Sequence, residues 1–91
     1  MADIHAVTLA STDTVIPRRA RVRGIYLVDS GTAGSVVLKD GGASGTTLLS
    51  IATPASATGT ESIDIPGDGI LFETDVHATM TNLASLTVFF E

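Results

Sequence analysis

The sequence predicts an all-β protein, a single-domain antiparallel β-sandwich or jelly-roll-like barrel of about eight short strands. Three observations carry this. Short apolar-rich runs alternate with polar residues at period two, which is strand spacing. Clusters of Gly, Ser, Thr, Asn, Asp and Pro interrupt them about every ten residues, the rhythm of short antiparallel strands. Finally, the stretch 21–54 (RVRGIYLVDSGTAGSVVLKDGGASGTTLLSIATP) has no helical pattern and reads as strand, tight connection, strand, loop, strand. Its apolar runs are 22–28, 35–39 and 47–52, divided by SGTAG and DGGASG.

The first strand is expected over 4–9, ending at Ser11-Thr12-Asp13, and a short one over 14–17. Pro17 suits a strand end because it cannot donate to a ladder. In 21–29, Val22, Gly24, Tyr26 and Val28 share one face, and Arg21, Arg23, Ile25 and Leu27 the other. The second face starts charged and turns apolar, so this strand is expected to enter a core on both sides. Strands over 35–39 and 47–52 follow, then a loop over 53–60 by composition. Ile63 and Ile65 oppose Ser62 and Asp64, and Pro66-Gly67-Asp68-Gly69 is a turn. Ile70 and Phe72 resume the inward face, and Val76, Ala78 and Met80 continue it against His77, Thr79 and Thr81. Thr81-Asn82 is the last turn signal and 86–90 the last strand, while 82–86 would also permit one helical turn. In that last strand Phe89 groups with Thr87 and Glu91, opposite Phe90.

Ninety-one residues make one domain, 1–91. The core is aliphatic, with no Trp, one Tyr and three Phe. A chain this short retains little net stability after backbone entropy is subtracted. Having no Cys, it has neither disulfides nor thiolate zinc sites. Assembly with other copies is the first supplement expected, a bound cation the second. The net charge of −5 argues against nucleic-acid binding. That charge is uneven: residues 1–45 hold five basic and four acidic residues, while 46–91 hold six acidic and no basic ones. The start, MADIHAVTLA, has no basic region before an apolar one. No apolar run approaches the about 18 residues of a membrane span. A soluble protein of a reducing cytoplasm, without membrane contact, is the expectation.

Candidate chemistry is sparse. The loop Asp40–Thr47 is Gly-rich, but Thr follows its last Gly where a phosphate-binding loop needs Lys and a helix. Glu73, Asp75 and His77 at i, i+2, i+4 would share a strand face and are the candidate metal ligands; the same spacing is that of a solvated face or a bend. Asp64 and Asp68 lack EF-hand spacing. His5 and His77 have no Cys partner and no nucleophile-elbow Ser, so no catalytic residue is expected. The most pointed feature is Arg18, Arg19, Arg21 and Arg23, four of five positive charges within six residues. It is either a solvated edge that discourages aggregation or a contact with acidic neighbours, including another copy. Phe89 joins these arginines as a candidate interface residue, packed against a neighbouring subunit or a second apolar layer.

The runs GIYLVDSGTAGSVVLKDGGASGTTLLSIATP and SIDIPGDGILFETDVHATMTNLASLTVFFE resemble small all-β virion accessory proteins of tailed bacteriophages, marine podovirus-like ones in particular. The shared pattern is a Gly-aromatic strand, an SGTAGS turn, a KDG…GTTLL hairpin and an IPGDGILF turn. It covers roughly residues 22–91 and consists of scaffold and turns, so no functional residue carries over. The resemblance implies a non-enzymatic virion component in many copies, assembled in the host cytoplasm. A capsid decoration protein that self-associates and binds the shell is the first form, a neck or tail accessory the second. Its partners would be itself and the major capsid or tail proteins, with no cofactor and no small-molecule substrate. A different class, a carbohydrate- or calcium-binding β module for host attachment, has only Tyr26 to offer for sugar stacking.

Overall fold

The computed structural model describes residues 3–54 and 59–91. Residues 55–58 of the loop expected over 53–60 lie outside the described residues. Nine strands are present among the described residues: β1 (His5–Leu9), β2 (Asp13–Ile16), β3 (Ala20–Asp29), β4 (Gly34–Asp40), β5 (Thr46–Thr53), β6 (Thr60–Asp64), β7 (Ile70–Phe72), β8 (Val76–Thr81) and β9 (Leu83–Phe90). No helix occurs among the described residues. At 82–86 the helical turn that the sequence permits gives way to a strand. Asn82 takes a left-handed φ of 51°, and its side-chain amide donates to the Ala33 carbonyl at 3.0 Å. Asn tolerates that conformation better than most residues, so the chain passes from β8 to β9 through a single residue.

All pairings are antiparallel, and four of them nest. β4 pairs with β5, β3 with β6, β2 with β8 and β1 with β9. The chain is therefore one long hairpin folded over on itself. Pairing of β3 with β9 and of β4 with β8 closes it into two sheets. The first runs β1-β9-β3-β6, with β7 also on β3, and the second runs β2-β8-β4-β5. This is the connectivity of a jelly roll, with β7 as a short addition.

The core lies between the sheets as cross-strand rows. In the first sheet Val7, Val88, Ile25 and Ile63 stand in one row, and Leu9, Leu86 and Leu27 in the next. In the second, Ile51, Val36 and Met80 form a row, beside Leu49, Leu38 and Ala78. Phe72 and Phe90 are the largest fully buried side chains. The inward set of β8 is the expected one, with Val76 and Ala78 buried and Met80 packed on the core.

β3 departs from the expected alternation. Its register against β9 shifts between Val22 and Gly24, which makes Arg23 the extra residue of a bulge. Inward facing passes from Ala20 and Val22 to Ile25 and Leu27, and Tyr26 turns out to solvent. One extra residue reverses the facing of everything after it, because side chains alternate with period two. The strand thus buries one face, where alternation read without a bulge implies two.

Phe72 contacts the core with its whole ring, so Phe72→Ala is expected to lose about 3–5 kcal/mol of stability in urea unfolding. Tyr26→Ala, on the outer face, is expected to stay within about 1 kcal/mol of the parent.

Candidate interaction surface

Large apolar side chains collect on the outer face of the first sheet. β9 ends in adjacent phenylalanines, and a regular strand must send them to opposite faces. Phe90 enters the core, while Phe89 remains 37% exposed. Across the sheet Phe89 lies opposite Ala6 on β1 and Gly24 on β3, and Gly24 lies opposite Asp64 on β6. The next outward row is Thr8, Thr87, Tyr26 and Ser62. Its Thr8 and Thr87 hydroxyls are bonded at 2.8 Å. Ile4 and Tyr26 are also exposed, so three of the four exposed large apolar residues among those described belong to this side.

A cleft of about 330 Å³ opens there, lined by Ile4, Arg23, Gly24, Asp64, Ile65 and Phe89. Gly24 forms its floor for a local reason. A Cβ at that position would come within 3.0 Å of the Ile63 carbonyl oxygen, tighter than ordinary packing. The residue is therefore bare where β6 approaches, and Phe89 and Ile65 wall a depression that a side chain would fill.

The arginines divide among different tasks. Arg23 pairs with Glu91, whose backbone also exchanges hydrogen bonds with Arg21 at 2.9 and 3.0 Å. The Arg18 guanidinium lies 5.9 Å from the centroid of the Phe90 ring, within cation–π range, while His5 packs against the same ring at 5.8 Å. Together they close the end of the core. Arg19 and Arg21 make no ion pair among the described residues, and Arg21, between inward Ala20 and Val22, lies on the outer face with the apolar strip. The four arginines thus serve different contacts, a division that linear spacing does not reveal.

Glu73, Asp75 and His77 are not gathered into a metal-binding cluster, and no such group exists among the described residues. The chain bends at Glu73-Thr74, and the Asp75 carboxylate is already engaged. It accepts the Gly41 and Gly42 amides at 2.9 and 3.0 Å. Asp40 answers from the other side, accepting the amides of Thr74, Glu73 and Asp75 at 2.9, 3.0 and 3.3 Å. This reciprocal lock pins the Gly-rich loop to the β7–β8 bend. The loop closes on itself by Gly45 N–H to the Gly42 carbonyl, and the Lys39 ammonium donates to the Ala43 carbonyl. Its backbone amides thus serve the fold. His77 is buried in β8, its Nε2 without a hydrogen-bond partner among the described residues, and His5 lies on the other sheet. Asp68 sits exposed in the Pro66–Gly69 turn, while Asp64 borders the cleft. Sequence reasoning missed the lock, although Asp before Gly-Gly at 40–42 was a signal that side-chain and backbone bonding meet there.

No protein-family model matches the chain, and no curated protein or solved structure matches it.

The Thr74 amide first, then that of Glu73, holds Asp40 below its ordinary value, against partial desolvation. A depressed carboxylate stabilises the fold above its unfolded pKa, and that stability is lost as pH falls through the folded one. Asp40→Asn is therefore expected to melt below the parent at about pH 6, with the gap narrowing at about pH 2, as acid begins to protonate the Asp40 carboxylate. Thermal melts by circular dichroism at the two pH values check this; a gap that does not change with pH would show that the charge on Asp40 is not what the lock uses.

Proposed function

We propose that this chain is a non-enzymatic structural component of a phage virion, most closely of the capsid-decoration kind, which associates with its own copies and binds the shell. The observation that carries the proposal is the outer face of the first sheet. There Phe89 and Ile4 stay exposed at a cleft, Tyr26 is exposed in the next outward row, and Arg21, without an ion pair among the described residues, lies on the same face. Two further points support it. The pattern over 22–91 resembles virion accessory proteins, and jelly rolls recur in viral capsid domains, which is an analogy of fold alone. The same resemblance accommodates a neck or tail accessory.

Magnitudes assign the parts. An exposed ion pair contributes about 0–1 kcal/mol, whereas covering a side chain such as Phe89 contributes up to about 1.5–3 kcal/mol. The aromatic strip therefore holds the contact and Arg19 and Arg21 orient it towards acidic surface. Repetition over many identical sites multiplies such modest contacts into firm attachment.

Light scattering on the purified protein is expected to give a discrete oligomer, unchanged by a calcium chelator. Phe89→Ser is expected to lower that mass without lowering the melting temperature by more than a few degrees. A monomer that loses stability on chelation would instead favour a calcium-dependent binding module, for which jelly-roll lectins are the fold analogy.

A further inference from the structure

The sandwich has open sheet edges, and they are not equally defended. β2 has four residues, starts with Asp13 and is followed by Pro17. β6 has five residues and carries Glu61 and Asp64, and β1 also has only five. Shortness, charge and proline are the usual devices against strand-on-strand pairing. β5 has none of them. It is an eight-residue edge strand, TTLLSIAT, without a charge or a proline, and among the described strands it pairs only with β4.

The core is also unfinished along this edge. Leu49 and Ile51 of β5 are only half-buried, although their partners Leu38 and Val36 on β4 are fully buried. Leu48, at the register shift between β4 and β5, is 38% exposed. A strand added to β5 would extend both inner rows. For a molecule of net charge −5, a neutral edge is where a second, equally charged copy meets least repulsion.

We propose that β5 is a self-pairing edge: two copies join β5 to β5 antiparallel about a two-fold axis at Ser50, giving one continuous eight-stranded sheet. The register follows from symmetry. An isologous antiparallel pair places directly opposite each other residues whose numbers have a constant sum. Opposite residues must also face the same side of the sheet, so the sum is even and the axis passes through a residue. With the axis at Ser50, Leu49 meets Ile51 of the other copy on the core side, twice over. On the outer side Ser50 meets Ser50, and exposed Leu48 meets the small Ala52. An axis at Ile51 would set Leu49 against Thr53, which is already buried and accepts the Gly34 amide through its hydroxyl. That register completes the apolar rows less well. The inference rests on the self-association in the proposed function, but uses a different edge from the Phe89 face.

The chain has no Cys, so a single introduced cysteine reports on one position. Opposed residues of an antiparallel pair lie about 4.5–5.5 Å apart between Cα atoms, inside the about 4.4–6.8 Å span of a disulfide. Ser50→Cys is expected to convert to a covalent dimer under mild oxidation, while Ser11→Cys, exposed between β1 and β2 and away from both surfaces, stays monomeric on a non-reducing gel. Ser50→Lys, which sets two like charges at the axis, is expected to shift the non-covalent dimer to monomer at unchanged melting temperature. If Ser50→Cys links no better than Ser11→Cys, β5 self-pairing is overturned, as it would be if this edge were filled by a strand of another protein. Adding Phe89→Ser separates the two contacts. Dimer formation by Ser50→Cys that persists in that background belongs to β5; a loss of higher mass in Phe89→Ser alone belongs to the outer face.

Discussion

Pairing of β3 with β9 is the constraint on which the rest of the structure depends. It joins a strand from the first third of the chain to the last one and places Ile25 and Leu27 opposite Val88 and Leu86. β1 can complete its sheet only because β9 is held there, and β6 and β7 complete the other side of β3. Loop closure opposes such distant pairing, yet the cost rises by only about 0.6 kcal/mol for each doubling of loop length. Burial of several aliphatic side chains per row, each contributing about 1.5–3 kcal/mol, readily offsets it. The nested arrangement then needs no further device to bring the remaining strands into order.

The same pairing creates the surface features. The bulge at Arg23 turns β3 so that its apolar residues stay inward on both sides of the register shift, while Arg23 reaches Glu91. Gly24, next to it, is bare under β6, so the outward row from Phe89 to Asp64 encloses a cleft. A strand without the bulge would have sent Ile25 and Leu27 to solvent. The outer face and the core are thus two consequences of one inserted residue.

Much of this was legible in the sequence, for identifiable reasons. Strand existence followed from alternation and from Gly, Pro and Asn punctuation, as in the inward set Val76, Ala78, Met80 and the opposed Phe89 and Phe90. Three things were not. A bulge leaves no mark in composition, so the facing of Tyr26 and Ile25 was misread. The Asp40–Asp75 lock joins residues 35 apart, and linear spacing, which offers Asp75 as a candidate metal ligand or as part of a solvated face or bend, cannot point to those backbone amides. The arginine cluster looks uniform because contiguity hides that Arg18 covers Phe90 and Arg23 meets Glu91, while Arg19 and Arg21 make no ion pair among the described residues. Apolar pattern is local and survives in one dimension; partner choice for charged groups depends on strand order.

The frame that results is pinned at its loops and closed at its core, while its apolar outer strip and its neutral β5 edge remain uncovered. Both features fit the proposal of a block that is finished by contact with others. Small-angle X-ray scattering over a range of concentrations tests that claim most directly. One copy has a radius of gyration of 12.4 Å and a longest extent of 38 Å. The account predicts a larger particle, whose forward scattering corresponds to a multiple of 9.3 kDa and whose longest dimension exceeds that of one copy. Scattering that matches a single copy at every concentration would contradict it.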